Sequence, residues 1–260
     1  MRQDSPHRLP MESPAPSASA PAVPSRRERQ RAEREDDYLA IARQLLLSQG
    51  YLGLTMDRVA AETEFSKGTL YQHFRNKEEL VIALGERIAR ARADLFERAL
   101  QLEGRSRERL CAVGVAYQLW ASRYPDDIRV TQILKSRSVA AKVRPELRAR
   151  LEDAEARCCS VLVQITDEAI EAGDLVLPAG TTSGQLVFGL WALCWGGWTL
   201  ALGDFDLERL DVQEPGPHVD RHAQILLDGH GFQPLSGEWD YDTTLDQIRR
   251  ELFSDLIPAS

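Results

Sequence analysis

The chain contains four lysines, Lys67, Lys77, Lys135 and Lys142, and two of them stand where helices are predicted to start. A helix N-terminus offers free N–H groups and a partial positive charge to an anion, and a lysine placed there adds to both. Around the first two runs TMDRVAAETEFSKGTLYQHFRNKEEL, from Thr55 to Leu80. Thr55 is a good N-cap for a helix MDRVAAET, and Ser66 for a helix KGTLYQHF. Ala60 and Ala61 are small enough for a second helix to cross closely. Leu70 and Phe74, four apart, share a face that can pack on Val59 and Phe65. That packing turns Lys67, Thr69, Tyr71, Gln72 and His73 partly or wholly outward, and Gly68 lets the backbone approach a partner with no Cβ in the way. Two short helices at a sharp angle, the second with an exposed polar and basic N-terminal half, form a helix-turn-helix. Its chemistry is the recognition of phosphates and base edges in double-stranded DNA.

No other constellation suggests reaction chemistry. The chain has no Gly-rich phosphate loop, no GxSxG elbow and no His/Cys arrangement for nucleophilic attack, so neither an enzyme nor a cofactor is expected. His218 and His222 stand four apart with Asp220 between them, but nothing assures a third ligand, and no metal is expected. Cys111, Cys158, Cys159 and Cys194 form no CxxC pair and are read as reduced, mostly buried thiols. Phe188, Trp191, Trp195 and Trp198 recur at three- and four-residue steps in an uncharged stretch, 181–203. With Tyr117, Trp120 and Tyr124 from an earlier helix they make a candidate effector pocket for an apolar or aromatic small molecule. The same rings would serve equally as core or interface filler. A second stripe, Leu186, Leu190, Leu193, Gly197 and Leu200, gives this helix two apolar faces. A monomer could hardly cover both, so a homodimer is expected.

Helices must position all of these groups. Strand signals are almost absent, and period-3.6 patterns follow one another between short Gly/Pro breaks. The first helix begins in the charged run RRERQRAERED, turns apolar at Tyr38, Leu39, Ile41, Ala42, Leu45 and Leu46, and is predicted to stop at Gly50. Lys77-Glu78-Glu79 opens a long helix to about Glu103, with Leu80, Leu84, Ile88, Ala91, Leu95 and Leu102 on its apolar side. Further helices are predicted at about 106–123, 126–139, 145–173, 181–203, 217–229 and 243–256. The predicted fold is therefore all-α. Residues 1–34 form a disordered Pro/Ala/Ser-rich tail with a basic segment, 35–84 a three-helix DNA-binding domain, 85–234 a larger helical ligand-binding and dimerisation domain, and 235–260 an extension with an extra helix of no readable role. The run Arg26, Arg27, Arg29, Arg31 and Arg34, interspersed with Glu28 and Glu33, is either a solvated extension of the first helix or a basic arm reaching DNA.

Charge and composition limit the function class. With Lys+Arg 32 against Asp+Glu 40 in 260 residues, the net charge of -8 excludes a protein that coats nucleic acid by bulk charge. Even residues 36–85 hold Arg43, Arg58, Lys67, Arg75 and Lys77 against Asp36, Asp37, Asp57, Glu62, Glu64, Glu78 and Glu79. Binding must then depend on positioned lysines, helix N-termini and dimer spacing. The uncharged stretch approaches the length of a bilayer span but lacks flanking Lys/Arg anchors and is interrupted by Gly189, Gly196 and Gly197. The N-terminus has no apolar core of a secretory signal. A soluble, cytoplasmic protein with no membrane partner is expected.

Gly50 followed by LTMDRVAAETEFSKGTLYQHFRNKEEL resembles the N-terminal domain of the TetR (tetracycline-repressor) family of bacterial transcription regulators. The close resemblance covers about residues 36–84, and LLDGHGFQPL is similar to the family's frequent closing stretch. The resemblance implies phosphate contacts from Thr55, Tyr71 and Lys77. It places Lys67, Gly68, Thr69, Gln72 and His73, behind the cap Ser66, at recognition-helix positions that reach bases or nearby backbone. It also implies a four-helix dimer interface from 181–203 and 217–229, and a repressor released from its operator by a small-molecule effector. A dimeric ligand-binding or adaptor protein that has lost DNA binding is the alternative. Glu64 departs from the pattern, standing in the turn where the family usually has Gly, and is expected to strain or reshape that turn.

Overall fold

The computed structural model describes residues 25–134, 142–203 and 205–257, which contain ten α-helices and no strand. The first, α1 (Arg26–Gly53), is closed at its start by a capping box in which the Ser25 hydroxyl accepts from Glu28 N and the Glu28 carboxylate accepts from Ser25 N. The basic run from Arg26 to Arg34 is therefore helical, the first of its two predicted readings; residues 1–24 lie outside the described residues. Gly50 does break the helix, with φ +68, but one more turn follows to Gly53. Nothing lies within 4 Å of where a Cβ would be at Gly50, so the backbone angle alone calls for glycine there.

Two short helices follow, α2 (Met56–Ala61) and α3 (Lys67–His73), capped by the hydroxyls of Thr55 and Ser66 as predicted. Their inward side chains Val59, Leu70 and Phe74 pack with Tyr38, Leu39, Ala42 and Leu46 of α1 into one apolar core. The turn between them is held by the Thr63 hydroxyl, 3.2 Å from both Ala60 O and Phe65 O. Asp211 is the only non-glycine with positive φ among the described residues, so of the two expected effects of Glu64 in this turn, left-handed strain is not present.

The body is built around α4 (Lys77–Arg98), which packs along α7 (Pro145–Ala172) and against α1, α5 (Ser106–Arg123) and α6 (Pro125–Leu134). It ends at Arg98 in a short 3-10 turn, Ala99–Gln101, rather than near Glu103. Ala91 of its predicted apolar side is exposed, while Arg92, Ala93 and Phe96 are buried. The predicted end of α6 at 135–139 falls outside the described residues. Pro145 and Pro215 occupy first turns, where a missing N–H costs nothing.

The uncharged stretch forms α8 (Ser183–Leu202), opened by a Thr182–Gln185 capping box. It packs on α9 (Pro215–Gly229) and on α7, α6 and α5. The glycine at 197 permits this, because a Cβ there would come within 2.6 Å of Val219 Cγ2. The helix is long and apolar enough to cross a membrane by length and composition alone. Leu186, Val187, Leu190 and Trp198 are buried, but Phe188, Trp191 and Leu200 remain open to solvent.

The C-terminal extension folds as α10 (Tyr241–Leu252) against α5, burying Tyr241, Leu245 and Ile248. Fully buried Arg107 staples it in place. Its guanidinium bonds to the carbonyls of Phe232 and Pro234 and to Gln224 and Asp228, and lies 4.5 Å from the Tyr241 ring centroid.

Candidate functional site

Two places bring functional side chains together. One is a surface cleft at the N-terminal ends of α2 and α4, lined by Thr55, Met56, Asp57, Tyr71, Arg75, Asn76, Lys77 and Glu78. Here Thr55, Tyr71 and Lys77, predicted from separate points in the sequence, share one surface beside the exposed face of α3. Tyr71 and Gln72 are exposed on α3, as are Ser66, Lys67 and Gly68 at its start. Thr69 is half-buried and its hydroxyl lies 2.9 Å from that of Ser66. Arg75 adds a cation the sequence reading passed over. It follows α3 directly, and its place one turn after Tyr71 was the available signal.

His73 does not join this surface. It is 8% exposed, with its ring edge-on to Tyr38 at 5.4 Å and its Nδ1 without a hydrogen-bond partner. The reason is periodicity: three residues after Leu70, it falls back on the inward face of the helix. Burial, with Arg31 nearby, holds its pKa below the ordinary histidine value despite Glu35 at 3.9 Å, so the ring is a neutral core group.

Electrostatics in the cleft are already partly satisfied. Lys67 Nζ lies 2.5 Å from Asp57 Oδ1 and 6.0 Å from the centre of the Tyr71 ring. Its hydrogen bond to Asp57 raises its pKa above the usual lysine value, so it is a full charge held in reserve by a carboxylate. Lys77 Nζ donates to Tyr51 O at 2.8 Å and sits 4.1 Å above the Tyr51 ring, which fixes the ammonium at the kinked end of α1. Tyr51 in turn donates to Glu78 at 3.1 Å, and burial together with Glu78 pushes its phenol up to about 12.

Behind the cleft the two acids that open α4 are neutralised from the body. Lys142 Nζ lies 3.2 Å from Glu78, and Asn76 Nδ2 donates to Lys142 O at 3.0 Å. Glu79, with no exposed surface, accepts from Arg144 Nε at 2.7 Å, from Arg144 Nη2 at 2.9 Å and from Arg75 N at 2.9 Å. Burial pushes the Glu79 carboxyl up, but Arg144 and the backbone donors outweigh it and hold the pKa below the ordinary value. Arg144 Nη2 also donates to His73 O at 3.1 Å. One guanidinium thus ties the start of α7 to the start of α4 and the end of α3.

The second place is a cavity of about 90 Å³ among α4, α5, α7, α8 and α9. Tyr117 and Trp191 of the predicted pocket line it, and Leu245 of α10 closes one side. The remaining predicted rings do not. Trp120 is buried behind Arg92, Trp198 is buried elsewhere, Trp195 is half-buried off the wall, and Tyr124 and Phe188 are exposed. Steps of three and four, accumulated over α8, carry its rings around the helix, so only Trp191 meets the cavity. All four cysteines line it as free thiols, and burial holds Cys111 up at about 11 and Cys194 up at about 12, both protonated at neutral pH. Arg92 is the residue sequence reading missed. Its signal was a charge in step with Ile88 and Phe96, four residues to either side. Asp220 faces inward to Gln118 and Arg249, while His218 and His222 are exposed. Among the described residues no three His, Cys, Asp or Glu side chains are grouped to hold a metal.

Residues 39–84, which contain the cleft and α3, match the sequence model for bacterial regulatory proteins of the tetR family. The match to the tetR family is confined to this N-terminal segment. It is 27% identical over 151 residues to the HTH-type transcriptional regulator HbdR of Aromatoleum sp. (strain CIB), a match covering 56% of this chain and 61% of that protein. An uncharacterized HTH-type transcriptional regulator of Mycobacterium tuberculosis is 46% identical over 50 residues, 19% of this chain and 25% of that one. In three dimensions, a tetR-family bacterial regulatory protein from Rhodococcus RHA1 superimposes with TM-score 0.59 at 19% identity, covering 76% of this chain and 97% of that one. That likeness extends the TetR fold over the helical body.

Proposed function

We propose that the chain is a homodimeric transcriptional repressor that holds an operator through α3 and releases it when a small apolar molecule fills the cavity. The observation that carries this reading is the convergence of Thr55, Tyr71, Arg75 and Lys77 on one surface cleft beside the exposed face of α3. Such a cleft offers two hydroxyls and two cations to a phosphate. It flanks a helix whose exposed Gly68 and Gln72, with Lys67 once it exchanges Asp57 for a phosphate, can enter a major groove. Dimerisation is supported by the apolar surface of α8 and α9, where Phe188 is 67% exposed, Leu200 47% and Ile225 55%. A single copy leaves this patch in water, and a two-fold pair covers it. Operator binding puts the protein in the cytoplasm.

Release follows from the helices that the two places share. Arg92 and Phe96 on the cavity wall belong to α4, and Cys158, Cys159 and Leu162 to α7. The far ends of the same helices carry the Glu79–Arg144 clamp on α3, about 20 Å away at 1.5 Å per residue. A ligand that prefers one spacing of α4 and α7 therefore biases the position of α3, and by linkage the operator biases the ligand site equally.

The test is selection of bound DNA from a random pool, followed by gel shifts with the enriched sequence. Tyr71→Ala and Lys77→Ala should each weaken binding at least about tenfold with helicity unchanged. Normal binding by both, or no enriched sequence from the dimer, would sink the reading and favour a ligand-binding protein without DNA.

A further inference from the structure

The cavity wall is apolar apart from a few groups, and one of them has no counter-charge. Arg92 is 6% exposed, and among the described residues it makes no hydrogen bond and no ion pair. Its guanidinium lies over the Trp120 ring, 5.2 Å from the centroid. Stacking offsets only part of the cost of taking a cation out of water. Of the two acids on the wall, Asp220 is taken by Gln118 and Arg249, and neither it nor Glu155 lies within ion-pair distance of Arg92. Beside Arg92 the Tyr117 hydroxyl, on a side chain 5% exposed, is also buried without a partner. Burial raises the Tyr117 pKa and the nearby Arg92 charge opposes it, so the phenol remains a proton donor.

Resting on the cavity being the effector site, we propose that its ligand is an apolar monocarboxylic acid. Arg92 takes the carboxylate, the Tyr117 hydroxyl donates a further hydrogen bond, and Phe96, Leu162 and Trp191 face the hydrocarbon part. The number of charges favours this class. One carboxylate neutralises one guanidinium, whereas a phosphate dianion would leave a surplus negative charge in an apolar chamber. A cation would add to the unpaired charge, and a neutral hydrocarbon would leave both donors unsatisfied. The guanidinium fork matches a carboxylate with two parallel N–H···O bonds.

The test compares octanoic, decanoic and 4-phenylbutanoic acids with their primary amides, titrated into the full-length protein at neutral pH and read by tryptophan fluorescence, with Trp191 on the wall and Trp120 under Arg92. The acids should bind at least about tenfold more tightly than the amides, the usual size of a charge-assisted bond. Arg92→Met should erase that preference while leaving amide affinity within about threefold, and Arg92→Lys should keep part of it. Equal affinity of acid and amide for the native protein overturns the proposal even if the Met variant fails to fold. So does an acid preference that survives in Arg92→Met. Leu162→Trp, which fills the cavity, separates the two readings. Amides that bind natively and are excluded by Leu162→Trp leave the cavity standing without the acid. Binding of all probes unchanged by Leu162→Trp, or no binding at all, removes the cavity reading and the acid with it.

Discussion

Arg144→Met is the perturbation whose outcome the structure fixes most closely. In the native protein the fully buried Glu79 carboxylate accepts two bonds from the Arg144 side chain, at 2.7 and 2.9 Å, one from Arg75 N at 2.9 Å and one from Arg144 N at 3.3 Å. The substitution keeps the two backbone donors and removes the charge. Breaking a buried pair by deleting one partner costs about 3–5 kcal/mol. The Arg144 side chain is 33% exposed and half of the acceptor bonds survive, so the lower end applies, about 3 kcal/mol. With a urea slope of about 3 kcal/mol/M, the unfolding midpoint should fall by about 1 M, measured at fixed protein concentration because the proposed dimer would make it concentration-dependent. Glu79→Gln with Arg144→Met should recover at least about 1 kcal/mol of this, since the double variant no longer buries an uncompensated charge. Acid gives an independent check. The Glu79 pKa is depressed, so its contribution is complete above the ordinary carboxylate value near 4.5 and is lost as pH falls through the lower folded value. In Arg144→Met the carboxylate stays buried without its counter-charge, so the stability gap between the variant and the native protein should shrink as pH falls through the carboxylate range. The functional readout separates clamp from scaffold: operator affinity should persist below the unfolding transition while ligand-induced release weakens. A midpoint shift under about 0.3 M, or a double variant no more stable than the single one, would refute the energetic reasoning. Undiminished release in Arg144→Met would take the clamp off the path of coupling.

Three further perturbations separate the surfaces. His73→Phe should leave operator affinity within about threefold, because the imidazole packs edge-on against Tyr38 with an unpartnered Nδ1; a loss in gel shift comparable to that of Tyr71→Ala would return it to the DNA-facing side. Asp57→Asn should tighten operator binding by a few fold and steepen its dependence on salt, since Lys67 no longer exchanges a carboxylate for a phosphate; weaker binding would mean that Asp57 positions Lys67 instead of restraining it. Truncation after Ser236 removes Leu245 from the cavity wall and Arg249 from Asp220, so ligand affinity in fluorescence titrations should fall and the melting temperature should drop; unchanged affinity would show that α10 is dispensable to the chamber.

Local punctuation made the helices legible. Ser66 and Thr55 cap where hydroxyls must, Pro145 and Pro215 enter first turns, and Gly50 takes the left-handed angle. The same local rules brought the cleft within reach, since each of its side chains belongs to a helix end. They failed for His73 because a helix of seven residues gives too few repeats to separate faces by composition, and a polar imidazole was assigned outward. The cavity was mostly out of reach for a different reason. Its wall is assembled from five core helices and α10, so aromatic content along α8 alone picked out Trp191 and missed Arg92 and the thiols.

The acid count of the N-terminal module shows how placement changes the meaning of composition. Counted along the sequence, residues 36–85 carry five basic groups against seven acidic ones, a poor balance for meeting DNA. In space two of those acids, Glu78 on the cleft wall and Glu79 behind it, are buried and answered by Lys142 and Arg144 of the body, which makes seven against seven. The surface that would meet phosphates thus gains its balance only while α7 is docked. On this electrostatic argument, a shift of α7 would do two things at once: it would move α3, the proposed recognition helix, through the His73 carbonyl, and it would uncover negative charge beneath the cleft. Both oppose DNA, so a small displacement at the cavity would be amplified at the operator without any larger rearrangement of the module.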